Sequence, residues 1–117
     1  MLSNEKQKLI EKIKNYSSLN FNWDGEGSEK IEQNSILSAI NFIELMPNDK
    51  PIPEDMAFAN GQVGLFWELE NLYADLEFYS DHRITYFIEK NKNQKFRGFV
   101  LFDQKEFPEL FKSLLTI

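Results

Sequence analysis

The stretch VGLFWELENLYADLEF, residues 63–78, decides how this chain folds. Folded back at Glu70-Asn71, it sets Leu69 beside Leu72, Trp67 beside Ala74, Leu65 beside Leu76 and Val63 beside Phe78. Each of those pairs is apolar, whereas the intervening positions bring Glu68 to Tyr73, Phe66 to Asp75 and Gly64 to Glu77. Side chains alternate between faces along a strand, so a slip of one residue would exchange the two sets. The pattern therefore specifies an antiparallel hairpin with its Trp67 side buried.

The alternation extends in both directions. A three-residue turn at 80–82 carries the buried face on through Ile84, Tyr86 and Ile88, and a five-residue loop at 91–95 adds Gly98, Val100 and Phe102. Upstream, Asn60-Gly61 between residues 56–59 and 62–69 reads as a two-residue type I′ turn, because Asn and Gly tolerate the positive φ it needs. Helical spacing replaces alternation at the ends. Leu9, Ile10, Ile13 and Tyr16 mark a helix over residues 4–16, and Ile36, Leu37, Ile40, Phe42 and Ile43 mark one over 33–46 that Pro47 stops. Phe107, Leu110, Phe111, Leu114 and Leu115 define a closing helix with Pro108 in its first turn. Pro47, Pro51 and Pro53 make residues 48–55 an extended connection. The expectation is one α+β domain over residues 1–117: a five-stranded antiparallel β-meander with two N-terminal helices and one C-terminal helix packed mainly on one face.

Composition removes many chemistries. The 117 residues include no cysteine and one histidine, His82, so there is no disulfide, thiol nucleophile, zinc knuckle, iron–sulfur site or histidine pair. No run approaches the ~20 apolar residues of a membrane span, and residues 1–14 lack the apolar core of a secretory signal. A soluble, cytoplasmic protein with no membrane partner is expected. The net charge is −6, and 13 of the 19 acids lie in residues 21–81 against only Lys30 and Lys50. Such a field repels phosphate backbones, which argues against direct nucleic-acid binding and for a partner with a basic surface. A plainer role for the charge is to keep the protein soluble.

The second face of the sheet is unlike a merely solvated one. Pairing places Phe66, Asp75, Phe87 and Phe99 in one row, with Glu68, Tyr73, Glu89 and Arg97 on one flank and Gly64, Glu77, Thr85 and Leu101 on the other. Aromatic side chains ringed by charge are what protein interfaces favour. The candidate binding residues are thus Phe66, Glu68, Tyr73, Asp75, Glu77, Phe87 and Phe99. The occupant is another protein, a second copy of the chain, or, in the plain alternative, one of the protein's own helices or its Pro-rich segment.

Between the first two helices lies Asn22-Trp23-Asp24-Gly25-Glu26-Gly27-Ser28. This segment resembles the Asn-Trp-Asp-Gly-x-Gly motif of small uncharacterised bacterial proteins. The resemblance continues weakly through Leu45-Met46-Pro47 and Asn60-Gly61 to Phe66-Trp67-Glu68 and implies no activity. Asn20, Asn22, Asp24 and Gly25 imitate the opening of a calcium-binding EF-hand loop, but its twelfth position, a bidentate Glu in that motif, is Ile31. The structural reading has Trp23 filling the gap between the helices, with Phe21 as a second apolar anchor, and Asp24-Gly25 making the turn. An exposed partner-binding loop through Trp23, Asp24 and Glu26 is the remaining option.

For catalysis the sequence offers carboxylate pairs such as Asp75 with Glu77 or Asp24 with Glu26, and Asp81-His82-Arg83 in a turn. None has the context that separates two pKa values, and no phosphate loop, nucleophile elbow or dinucleotide fingerprint is present. The expectation is a non-catalytic, cofactor-free and metal-free binding protein. Its acidic-aromatic face resembles, by analogy, small bacterial or phage inhibitors, antitoxins and immunity proteins that neutralise a toxin, nuclease or defence complex. The rival is an acidic nucleic-acid mimic that inhibits a nucleic-acid-binding complex; a small hydrolase or a calcium module ranks behind both.

Overall fold

The computed structural model describes residues 2–114, and the hairpin of residues 63–78 lies at its centre. Strands β1 (Glu54–Ala57), β2 (Val63–Leu69), β3 (Leu72–Phe78), β4 (Arg83–Lys90) and β5 (Gln94–Leu101) form one sheet in the order β1-β2-β3-β4-β5, every neighbour antiparallel. The expected pairs of Val63 with Phe78, Leu65 with Leu76, Trp67 with Ala74 and Leu69 with Leu72 are all present. Helices α1 (Asn4–Lys14), α2 (Gln33–Leu45) and α3 (Glu109–Leu114) complete an α+β architecture.

The helices cover the Trp67 face. Val63, Leu65, Trp67, Leu72, Ala74, Leu76, Phe78, Ile84 and Ile88 join α1 and α2 in one core. Ser3 caps α1 by accepting the Lys6 backbone N–H, and Glu5 and Lys14 lie at the ends where the helix dipole favours them. Leu9, Ile10 and Ile13 form its buried stripe. Lys6 is buried with them and donates its Nζ to the Met46 carbonyl just beyond the end of α2; burial lowers its pKa. Phe42 of α2 is fully buried among Phe78, Phe102, Phe107 and Phe111, with ring centroids 4.7–6.1 Å away. The contacts with Phe78, Phe102 and Phe111 are edge-on, a geometry that adds to simple area burial. The Pro-rich segment belongs to the same side, because the Trp67 indole donates to the Pro51 carbonyl at 2.8 Å.

Two turns differ from the sequence reading. The β1–β2 turn is not type I′, since Gly61 alone has positive φ, at 89°. Phe58 and Gln62 pair through their backbone, and the Gly61 N–H bonds to the Phe58 carbonyl. This is a type I turn closed by a left-handed glycine, which adds one residue to the loop. A Cβ on Gly61 would lie 2.8 Å from the Lys30 carbonyl, so the neighbouring segment also requires glycine there. The extra residue moves β1 to Glu54–Ala57 and pairs Met56 with Gly64.

The β4–β5 loop is shorter than expected. Lys90 pairs with Gln94, leaving three residues between strands, so β5 slides by two positions relative to the expectation. A slide of two preserves the faces but changes the neighbours. Phe87 therefore lies opposite Arg97, and Phe99 opposite Thr85.

Smaller departures concern the helices. A 3₁₀ turn, Asn15–Ser18, follows α1 and carries Tyr16. Phe21 and Leu37 are 67% and 46% exposed, so Phe21 anchors nothing and Leu37 lies off the buried face of α2. Pro108 directly precedes α3. Leu115 and the side chain of Leu114 lie outside the described residues.

Candidate functional site: the outer face of the sheet

With all three helices on the Trp67 side, the other face of the sheet is left to solvent. Its central row runs Glu54, Phe66, Asp75, Phe87, Arg97 across the strands. Beside it lie Met56, Gly64, Glu77, Thr85 and Phe99 on one flank, and Glu68, Tyr73, Glu89 and Lys95 on the other. The candidate residues Phe66, Glu68, Tyr73, Asp75, Glu77, Phe87 and Phe99 thus share one surface. Phe66 and Phe87 are half-buried, while Phe99 and Leu101 are 61% and 77% exposed. The expected row of three phenyl rings is interrupted, because the shift of β5 puts Arg97 where Phe99 was placed.

Contacts within the face are local. The Arg97 guanidinium lies over the Phe87 ring, 5.1 Å from its centroid, and the Tyr73 ring is tilted against Phe87 with centroids 6.2 Å apart. Burial raises the pKa of the Tyr73 hydroxyl, with its hydrogen bond to Asp75 and the charges of Asp75 and Glu68 acting in the same direction. Lys95 pairs with Glu89 at 3.7 Å, and Asn60 donates to Glu77 at 3.1 Å. The face is electrically graded: Glu54, Glu68, Asp75 and Glu77 occupy β1 to β3, and Lys95 and Arg97 occupy β5.

The site contains a residue that sequence pairing missed. Phe58, in the β1–β2 turn, lays its ring over Gly64; a Cβ there would come within 2.4 Å of the ring. On one side of Phe58 a groove of about 300 Å³ runs between Phe66, Tyr73, Asp75 and Glu77. On the other, a groove of about 450 Å³ runs between Asp75, Thr85, Phe87 and Arg97. The signal for Phe58 was Gly64 itself, since a glycine inside a strand often marks a close approach by another group.

The Asn22–Ser28 loop folds on itself. Asn22 adopts φ 64° and accepts the Gly27 N–H on its Oδ1 at 2.6 Å. One carboxylate oxygen of Asp24 accepts the N–H groups of Glu26 and Ser28, and the Ser28 hydroxyl accepts the N–H of Asp24. The bond from the Glu26 N–H and then the Ser28 hydroxyl hold the Asp24 carboxyl below its ordinary pKa. Trp23 is half-buried against the core and donates its indole N–H to the Glu29 carbonyl at 2.8 Å. Asn22, Trp23, Asp24, Gly25 and Gly27 therefore have structural duties, while Glu26 is exposed. Among the described residues, no group of three or more His, Asp or Glu side chains is placed to hold a metal ion.

A second polar cluster lies on the buried side of the edge strand. Asp55 faces inward, its side chain 6% exposed, and binds Lys12 at 2.8 Å and the Tyr16 hydroxyl. Burial works to raise this carboxyl, but the hydrogen bonds from Lys12 and Tyr16 and the Lys12 charge outweigh it and hold the group below the usual range. The cluster ties the end of α1 to β1.

No family matches. No protein-family model fits this chain, no curated protein matches it in sequence, and no solved structure matches its fold. No helix among the described residues is long and apolar enough to cross a membrane.

Proposed function

We propose that this protein is a non-catalytic binding module that docks another protein through the outer face of its sheet, acting as an inhibitor of the antitoxin or immunity type. The supporting observation is that Phe66, Phe87, Phe99 and Leu101 share a face that none of the protein's own helices covers. Apolar rings set among carboxylates suit a partner that brings both an apolar anchor and basic groups, the latter meeting Glu54, Glu68, Asp75 and Glu77. The grooves beside Phe58 would receive the anchors. A nucleic-acid mimic needs its carboxylates unbroken by apolar groups, so the interleaved rings favour protein docking.

Affinity capture from the native cell tests this, comparing wild type with Phe66→Ser/Phe99→Ser at low and high salt. Wild type should retain a specific partner in high salt, and the double variant should lose it while keeping its circular dichroism. Capture that collapses with salt would favour the mimic. Equal capture by a folded double variant would sink the proposal.

A further inference from the structure

Strand β5 closes the sheet on one side, and seven of its eight residues are exposed. In an antiparallel ladder, alternate residues bond to the neighbouring strand and the rest point away. The Phe102 N–H donates to the His82 carbonyl, while on the far side of β4 the Tyr79 N–H reaches Arg83 and the Asn91 N–H reaches Asn71. Combined with the β4–β5 pairing, these bonds turn Gln94, Phe96, Gly98 and Val100 toward β4. The backbone N–H and C=O groups of Lys95, Arg97, Phe99 and Leu101 then face the open edge.

We infer that this edge pairs with β5 of a second copy, antiparallel about a two-fold axis at Gly98. In that register every open backbone group of the four residues meets a partner. Arg97 lies opposite the partner's Phe99, and Lys95 opposite the partner's Leu101, so each cation directly faces an apolar side chain and the two Arg97 groups are only diagonal neighbours. On the helix side, Phe96 lies opposite the partner's Val100. Moving the axis to Arg97 would set two guanidinium groups against one another. Moving it to Phe99 would carry Lys95 past Leu101, where the partner strand has ended.

The two edges of the sheet differ in their protection. β1 has only four residues, follows Pro51 and Pro53, and turns the charge of Asp55 inward against Lys12. Short length, proline and inward charge are what keep an edge from pairing. β5 has none of these three: it is eight residues long, lacks proline, and carries no charge at Phe96, Gly98 or Val100 on the helix side; its edge charges, Lys95 and Arg97, lie on the outer face, where the Gly98 register sets each opposite an apolar side chain. An isologous β5 contact also closes after two copies, whereas β5 against β1 would propagate. Paired residues of an antiparallel ladder share a face, so both outer faces would form one surface with Lys95 and Arg97 along its seam. Phe99 belongs to both the edge and the docking face, so the two readings are separated by sedimentation of the protein alone and by the helix-side pair Phe96 and Val100, which lies off the docking face.

Sedimentation equilibrium of the full chain provides the test, with variants at the exposed Phe99. Wild type should dimerise reversibly. Phe99→Lys sets an ammonium against Arg97 at two symmetric places and should raise the dimer Kd about tenfold. Phe99→Glu should leave it unchanged or lower it. Because the chain has no cysteine, Phe96→Cys/Val100→Cys reports the register: mild oxidation should link two chains of the double variant but not of either single variant. A wild type that stays monomeric at its solubility limit, a dimer indifferent to Phe99→Lys, or single variants that cross-link as readily as the double would each overturn the inference.

Discussion

Asp55 shows how one carboxylate can hold two elements together. Its partners are unequal, since the Lys12 side chain is 68% exposed whereas Tyr16 is half-buried. Most of the value of the cluster therefore lies in satisfying the Tyr16 hydroxyl and the inward carboxylate, less in the screened ion pair. Asp55→Ala should cost about 1–3 kcal/mol at neutral pH by leaving that hydroxyl without its acceptor. The carboxyl has a lower pKa folded than unfolded, so its contribution is present above the unfolded value of about 4 and fades as pH falls through the folded one. The gap between urea titrations of wild type and Asp55→Ala should narrow as pH falls through the folded value, the remainder being the hydroxyl that a protonated carboxyl still accepts, and a gap that does not narrow in acid would contradict the assignment. Nothing in the sequence marked Asp55 as inward. Its direction follows from the residue that Gly61 adds to the turn, and a strand of four residues is too short for alternation to reveal it.

At the scale of the element, α3 depends on its surroundings. Six residues cannot sustain a helix alone, because nucleation outweighs so few backbone bonds. Phe111 fixes it, packing edge-on against both Phe42 and Tyr86 with centroids 5.6 Å away. Phe111→Ala should cost about 3–5 kcal/mol and release α3 first. Hydrogen exchange should then show α3 amides losing protection while β2 and β3 retain theirs; uniform loss would mean that α3 is integral to the sheet's stability. The strands were more legible than this helix. Seven alternating residues on each side of Glu70-Asn71 specified a register, whereas the loop after β4 offered Asn91, Lys92 and Asn93, of which Asn91 and Lys92 take positive φ. A lysine in that conformation is not a signal that composition supplies, so the two-residue shift that brought Arg97 over Phe87 was hidden.

For the whole molecule, the division of the sheet into a covered and an open face governs both stability and function. Leu76 and Phe99 make the contrast measurable, since Leu76 is 1% exposed on the helix side and Phe99 is 61% exposed on the other. Leu76→Ala should cost about 2–5 kcal/mol, and Phe99→Ala should stay within about 0.5 kcal/mol, both read as shifts in urea midpoint. Comparable losses would mean that the outer face is buried in solution, as wide self-association would make it. The sequence by itself determined the helices, the strand order and which residues of β2 to β5 share each face, because burial of one side of a pleated strand forces period two and leaves no second solution. Only the tertiary structure decided the lateral position of β5, the ring of Phe58 over Gly64, the inward turn of Asp55 and the openness of the outer face. Those depend on loop geometry and on which surface the helices reach, and neither is encoded in the periodicity of a single strand.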